Sequence, residues 1–234
     1  MLSSLVRLLA LLPPEVVPVA YRSAVMDENV LAKDTASGRE WAFRQLRRFF
    51  ALDPHALLFR ALRDLWGDDP GQPLLAMLCA LARDPVLRAS SSVVLAAAPG
   101  RVVGPGDFGA AIEAAFPGAY NANTLRTTGQ NVASSWAQAG HLHAEGPNRK
   151  VRALVHPTPA VLTYALLLGH LQGARGQALF QTLWTEVLDE PRSRLLDLAV
   201  AASQRGMLEF RKIGDVIEVS FHQLLRPLDD GVSL

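Results

Sequence analysis

Thr127, Gln130, Asn131, Ser134 and Gln138 recur at helical spacing on one stripe, and Leu125, Val132, Trp136 and Ala139 recur on the opposite one. The polar stripe, with Asn123 and Arg126 at its start, carries amides, hydroxyls and a guanidinium but no carboxylate. Such side chains are poor bond-breakers. An amide offers a donor and an acceptor side by side, as the edge of adenine does, and a guanidinium grips phosphate. Arg149, Lys150 and Arg152 follow shortly after as a second group of cations.

The surrounding sequence predicts how these groups are held. Phe108, Ala111, Ile112, Ala115 and Phe116 repeat at helical spacing, and Pro117-Gly118 turns the chain. Asn121 or Asn123 can cap the next helix, and Gly140 is its stop signal. His141 to Ala144 then pairs with Lys150 to Val155 across Glu145-Gly146-Pro147-Asn148-Arg149. Helix, turn, helix and hairpin in this order predict a winged helix-turn-helix whose hairpin loop is the wing. In that arrangement Arg126, Thr127, Gln130, Asn131 and Ser134 face a major groove, and Arg149, Lys150 and Arg152 meet phosphates or the minor groove. A solvated helix face beside a salt-bridged hairpin is the plainer alternative.

A second basic concentration lies upstream. Ser37 with Glu40 forms a capping-box pattern that opens a helix from Gly38 to Ala51. Ala42, Leu46, Phe49 and Phe50 fall on its inner side; Arg44, Arg47 and Arg48 collect outside, with Arg39 before them and Arg60 and Arg63 on the next helix. The run reads either as a solvated face or as a second phosphate contact.

The chain has 234 residues, half of them hydrophobic and 7% aromatic, with a net charge of +1. This composition predicts a mainly α fold with short β-hairpins: two helical lobes containing winged helix-turn-helix units. Residues 1–98 are expected to form an N-terminal helical lobe with the basic helix. The winged segment spans 99–157. Residues 158–234 form C-terminal helices plus a hairpin, a second winged-helix-like unit packed on the segment before it. Gln72 to Arg83 is apolar nearly all round and reads as a buried central helix, and Asp53-Pro54 as the restart of the helix before it. The Pro- and Gly-rich stretch Ala97 to Gly106 reads as a linker. Ala160 to Leu171 and Gln177 to Leu188 read as core helices; Leu208 and Phe210, Gly214-Asp215, then Ile217, Val219 and Phe221 read as a hairpin. Glu186, Asp189, Glu190 and Asp197 crowd the helices before that hairpin and would repel a polyanion, so this unit reads as a packing or partner surface.

Catalytic and metal chemistry find little support. There is no phosphate-binding glycine loop, no helix with two histidines and a glutamate, and no paired cysteines. His141 and His143, with His156 nearby, have a spacing that can hold a metal, but ordinary wing histidines are the preferred reading. The expectation is a protein with no enzymatic activity, no cofactor and no metal. Cys79 sits among aliphatic residues, reads as an inert core thiol, and suits a reducing, cytoplasmic setting. Leu5 to Leu12 reads as an amphipathic helix docked on the core rather than a signal segment, and no stretch reaches the about 18 apolar residues of a membrane span.

Two stretches carry a family resemblance. Glu28-Asn29-Val30-Leu31-Ala32-Lys33-Asp34-Thr35-Ala36-Ser37, leading into the Arg-rich helix, resembles the N-terminal signature of the BrxA family of bacterial BREX phage-defence systems. Asn123-Thr124-Leu125-Arg126, continuing through Gln130-Asn131 to Ala139-Gly140-His141-Leu142, resembles that family's middle motif. The resemblance implies a small, largely helical, non-enzymatic protein that binds double-stranded DNA beside the other components of a BREX operon. Its near-neutral charge departs from what strong duplex affinity would favour. Two other readings remain: an assembly adaptor that docks another defence subunit without touching DNA, and a conventional transcriptional repressor, expected as a symmetric dimer on a palindromic site.

Overall fold

The computed structural model describes residues 1–146 and 149–227. Two apolar helices set the interior. Helix α5 (Gln72–Arg83) buries every residue from Leu74 to Leu81, and α10 (Pro159–Leu171) buries every residue from Ala160 to Gly169, so neither has a solvent face to give up. They pack on each other. Around them lie α1 (Leu2–Leu11), α2 (Pro18–Met26), α3 (Ala36–Phe50), α4 (Leu57–Asp64), α6 (Pro85–Ala89) and α7 (Ser91–Ala96) on the N-terminal side. Helices α8 (Pro105–Ala115) and α9 (Ala122–Gln138) follow, then α11 (Leu183–Glu186) and α12 (Arg192–Gln204). One apolar core runs from Leu2 to Leu224 and takes side chains from all three expected segments.

Two small antiparallel sheets complete the fold. In the first, β3 (Lys150–Arg152) is the middle strand between β1 (Val102–Val103) and β2 (Leu142–Ala144), with Val102 opposite Val151 and Leu142 opposite Arg152. The stretch expected to be a linker therefore contributes a strand. The N–H of Gly100 donates to the carbonyl of Arg152 at 2.9 Å and that of Arg152 to the carbonyl of Arg101 at 2.9 Å, so its backbone groups are satisfied inside the sheet. The second sheet is the hairpin of β4 (Glu209–Ile213) and β5 (Val216–Ser220), turned at Gly214 with φ 57°.

Several local expectations are corrected. Thr35, not Ser37, caps α3, its hydroxyl accepting the N–H of Gly38 at 3.0 Å. Helix α4 begins at Leu57 rather than at Pro54, because Ala51 and Leu52 adopt positive φ (66° and 55°) and turn the chain sharply. Arg63 is not on an outer basic face: it is buried and donates to the carbonyls of Leu9 at 3.4 Å and Leu12 at 2.7 Å, closing the end of α1. The expected helix from Gln177 to Leu188 is split into a 3-10 turn, Gly176–Gln181, and α11; extended Thr182 separates them and its N–H donates to the hydroxyl of Thr185 at 3.2 Å.

Helices α8 and α9 cross closely because glycine stands at the contact. A Cβ on Gly129 would collide with the carbonyl oxygen of Pro105, and Gly109 lies against the backbone of Leu125. This crossing fixes which face of α9 turns outward. Among the described residues no helix is long and apolar enough to cross a membrane.

Candidate nucleic-acid interface

Helix α9 starts at Asn121, whose side-chain oxygen accepts the N–H of Thr124 at 2.9 Å. Its inner face is anchored by Gly129, Val132, Ala133 and Trp136, and the Trp136 indole N–H donates to the Ser90 hydroxyl at 2.8 Å. The outer face consequently exposes Asn123, Arg126, Thr127, Gln130, Asn131 and Ser134. The Arg126 guanidinium donates to Asn123 Oδ1 at 2.9 Å, so these two are presented together, and the Thr127 hydroxyl donates to the Asn123 carbonyl at 3.0 Å.

The stripe is not uniform. Gln138 Oε1 accepts both the N–H and the hydroxyl of Ser3 at 3.1 Å, while Gln138 Nε2 donates to the Ser134 hydroxyl at 3.2 Å. The second half of the helix thus leans on α1. Asn123, Arg126, Thr127 and Gln130, on its first turns, form the open half.

The hairpin brings only part of its expected cations to the surface. Arg149 is exposed, with Nε 3.4 Å from Glu145, and Lys150 is half-buried on β3. Pro147 and Asn148, expected at the tip, lie outside the described residues. Arg152 is a correction: only 4% exposed, it forms an ion pair with Asp189 and donates to the carbonyl of Val94 at 3.0 Å. No phosphate can reach it. Asp189, counted in the sequence among the acids that would repel a polyanion, is the group that neutralises this arginine.

The histidines do not converge. His141 is fully buried, with Nε2 2.7 Å from the Val187 carbonyl, to which it must donate because a carbonyl only accepts. Burial pulls its pKa down to about 4, the carbonyl bond opposing this only in part. His143 and His156 are exposed. Among the described residues no group of three His, Cys, Asp or Glu side chains is placed to hold a metal. Burial likewise pushes the Cys79 thiol up to about 11, which leaves it a weak nucleophile.

On α3, Arg44, Arg47 and Arg48 are all exposed, but their partners differ. Arg48 pairs with the buried carboxylate of Asp84 at 2.6 Å, and Asp84 also caps α6 through the N–H of Leu87 at 2.8 Å. Arg44 and Arg47 have no carboxylate partner among the described residues. They line an open cleft of about 710 Å³ together with Arg22 and Arg83. Arg22 stacks over Phe43 at 5.6 Å and sits 3.6 Å from Glu40. Arg22 and Arg83 carry no signal in the sequence because they lie on helices otherwise committed to packing; only the fold gathers them beside α3.

The two regions are joined by a groove of about 390 Å³. Asn131 and Ser134 of α9 stand on one wall; Trp41, Gln45 and Arg48 of α3 stand on the other. Trp41, 54% exposed, had no signal in the sequence either, because an aromatic residue within an amphipathic helix ordinarily reads as core. Chemically this surface offers two things: cations without a carboxylate partner among the described residues, Arg44 and Arg47, which suit an anion such as phosphate, and exposed side-chain amides with hydrogen-bonding capacity to spare. Comparison with known proteins returned no match among family models, curated proteins or solved structures.

Proposed function

We propose that the protein binds double-stranded DNA without catalysing a reaction on it, and that α8, α9 and the β2–β3 hairpin work as a winged helix-turn-helix. The observation that carries this reading is the open row of Asn123, Arg126, Thr127 and Gln130 on the first turns of α9, free of carboxylates and held outward by the Gly129 crossing. The first turns of a recognition helix are the part that reaches base edges in such domains. Arg149 and Lys150 add phosphate contacts from the hairpin, and Arg44 and Arg47 a second basic surface. On this reading, which the BrxA-like stretches support, the protein serves as a cytoplasmic, cofactor-free accessory component of a BREX-type anti-phage system.

A gel shift on duplex DNA at low salt tests it. Arg126→Glu, and Arg149→Glu combined with Lys150→Glu, should each weaken binding while leaving the thermal midpoint near that of the parent. Unchanged binding in both variants would sink the proposal.

One observation favours a second reading, the assembly adaptor. The tip of the β4–β5 hairpin exposes Ile213 (81%) and Val216 (72%), apolar area that a protein surface can cover. Stable co-purification with another defence subunit, abolished in Ile213→Ser with Val216→Ser and accompanied by no duplex binding, would favour the adaptor.

A further inference from the structure

We propose that the groove between α3 and α9 holds one unpaired nucleobase, stacked on Trp41 and hydrogen-bonded by the amides of Gln45 and Asn131. The first argument is Trp41 itself. The chain has four tryptophans, and Trp66, Trp136 and Trp184 are buried to 6%, 0% and 1% exposure, whereas Trp41 keeps 54% of its surface open at the groove. A large flat indole left in water is a stacking platform, and every base has a π-face to lay on it.

The second argument is size and polarity. About 390 Å³ is within the range of small-ligand sites, roughly 300–1,000 Å³, and is room for a nucleotide but not for a duplex. The side-chain amides of Gln45 and Asn131 make no hydrogen bond within the protein among the described residues, so both are available to a base edge. The third is charge. Lys33 borders the groove and suits the phosphate that accompanies a base, while Arg48 and Asp84 on its lining neutralise each other at 2.6 Å, so no unpaired acid opposes that phosphate. Finally, the groove opens along the same helix whose first turns carry the exposed amide row. A duplex seated on that row would lie along the helix that forms one wall of the groove.

The base can come from two sources: extruded from a duplex on α9, which rests on the DNA-binding reading above, or carried by a single strand, which does not. Tryptophan fluorescence separates them, since Trp41 is the indole most open to solvent. The full-length protein is titrated at low salt with a blunt duplex, the same duplex carrying one unpaired base, and a single-stranded oligonucleotide. Quenching by the last two is expected. Trp41→Ala should weaken their binding about tenfold or more, Trp41→Phe should restore part of it, and neither should alter affinity for the blunt duplex. Asn131→Ala, also at the surface, should reproduce the loss. Quenching by single strands alone would assign the site to single-stranded nucleic acid, even if the blunt duplex fails to bind and the DNA-binding reading falls. Absence of quenching by either unpaired substrate, or unchanged affinity for both in Trp41→Ala, would overturn the proposal.

Discussion

The guanidinium of Arg152 is paired with the carboxylate of Asp189, and neither side chain is more than 6% exposed. Because Arg152 also donates to the Val94 carbonyl, one buried cation ties β3 to α7 and to the segment that leads into α12. Removing one partner strands the other charge in the interior. Asp189→Ala is therefore expected to cost about 3–5 kcal/mol in urea unfolding, whereas replacing both with well-packed apolar residues should recover much of that loss. A parental midpoint for Asp189→Ala would show the pair to be dispensable.

Acid should weaken the fold through His141. Its folded-state pKa is lowered, from 6.5 to about 4, so the unfolded chain takes up a proton first as pH falls. Stability from this group is complete above about pH 6.5, declines between 6.5 and 4, and is flat below; the full loss is ~3 kcal/mol. Thermal midpoints measured from pH 7.5 to 4 should fall more steeply in the parent than in His141→Gln. Parallel curves would refute it.

Gly129→Ala should destabilise although alanine is the better helix former. The added methyl meets the Pro105 carbonyl, part of the backbone, and backbone cannot swing aside as a flexible side chain would. A loss of about 1–3 kcal/mol is expected, the usual cost of overpacking. Gly118→Ala is the control: a Cβ there meets open space, and only its positive φ of 71° is strained.

Salt dependence should distinguish the exposed cations from the buried one. Removing a single phosphate-binding cation lowers the slope of log affinity against log salt by about 1, so Arg126→Gln should flatten it by that much on duplex DNA. Arg152→Met combined with Asp189→Leu, which removes the buried pair together, should leave the slope unchanged. A flattened slope in that double variant would mean that the buried arginine reaches phosphate after all.

Local signals are legible in the sequence where one residue controls one element. Asn121 caps α9, Gly140 (φ 93°) ends it, and Gly214 turns the last hairpin, because capping and positive φ depend on neighbours within a few residues. The all-apolar faces of α5 and α10 are legible for a similar reason: a helix without a polar side has to be buried. Long-range relationships are not. Arg63 and Arg152 look like surface cations until the carbonyls of Leu9 and Leu12, or the carboxylate of Asp189, arrive from distant parts of the chain. Ala97 to Gly106 has a linker's composition, yet Val102 and Val103 supply a strand because β3 offers an unpaired edge. The candidate site divides the same way: the amide stripe of α9 is visible from periodicity, but the opposing wall with Trp41 is not, since only the fold brings α3 and α9 to two sides of one groove.

The uninterrupted interior from Leu2 to Leu224 has a thermodynamic corollary for recognition. Both flanks of the Trp41 cavity are braced by the same packed mass, so a visiting nucleotide meets a receptacle already shaped and need not purchase its closure with lost chain entropy. Association should accordingly be fast, and calorimetry should record a heat-capacity change no larger than the buried area itself accounts for.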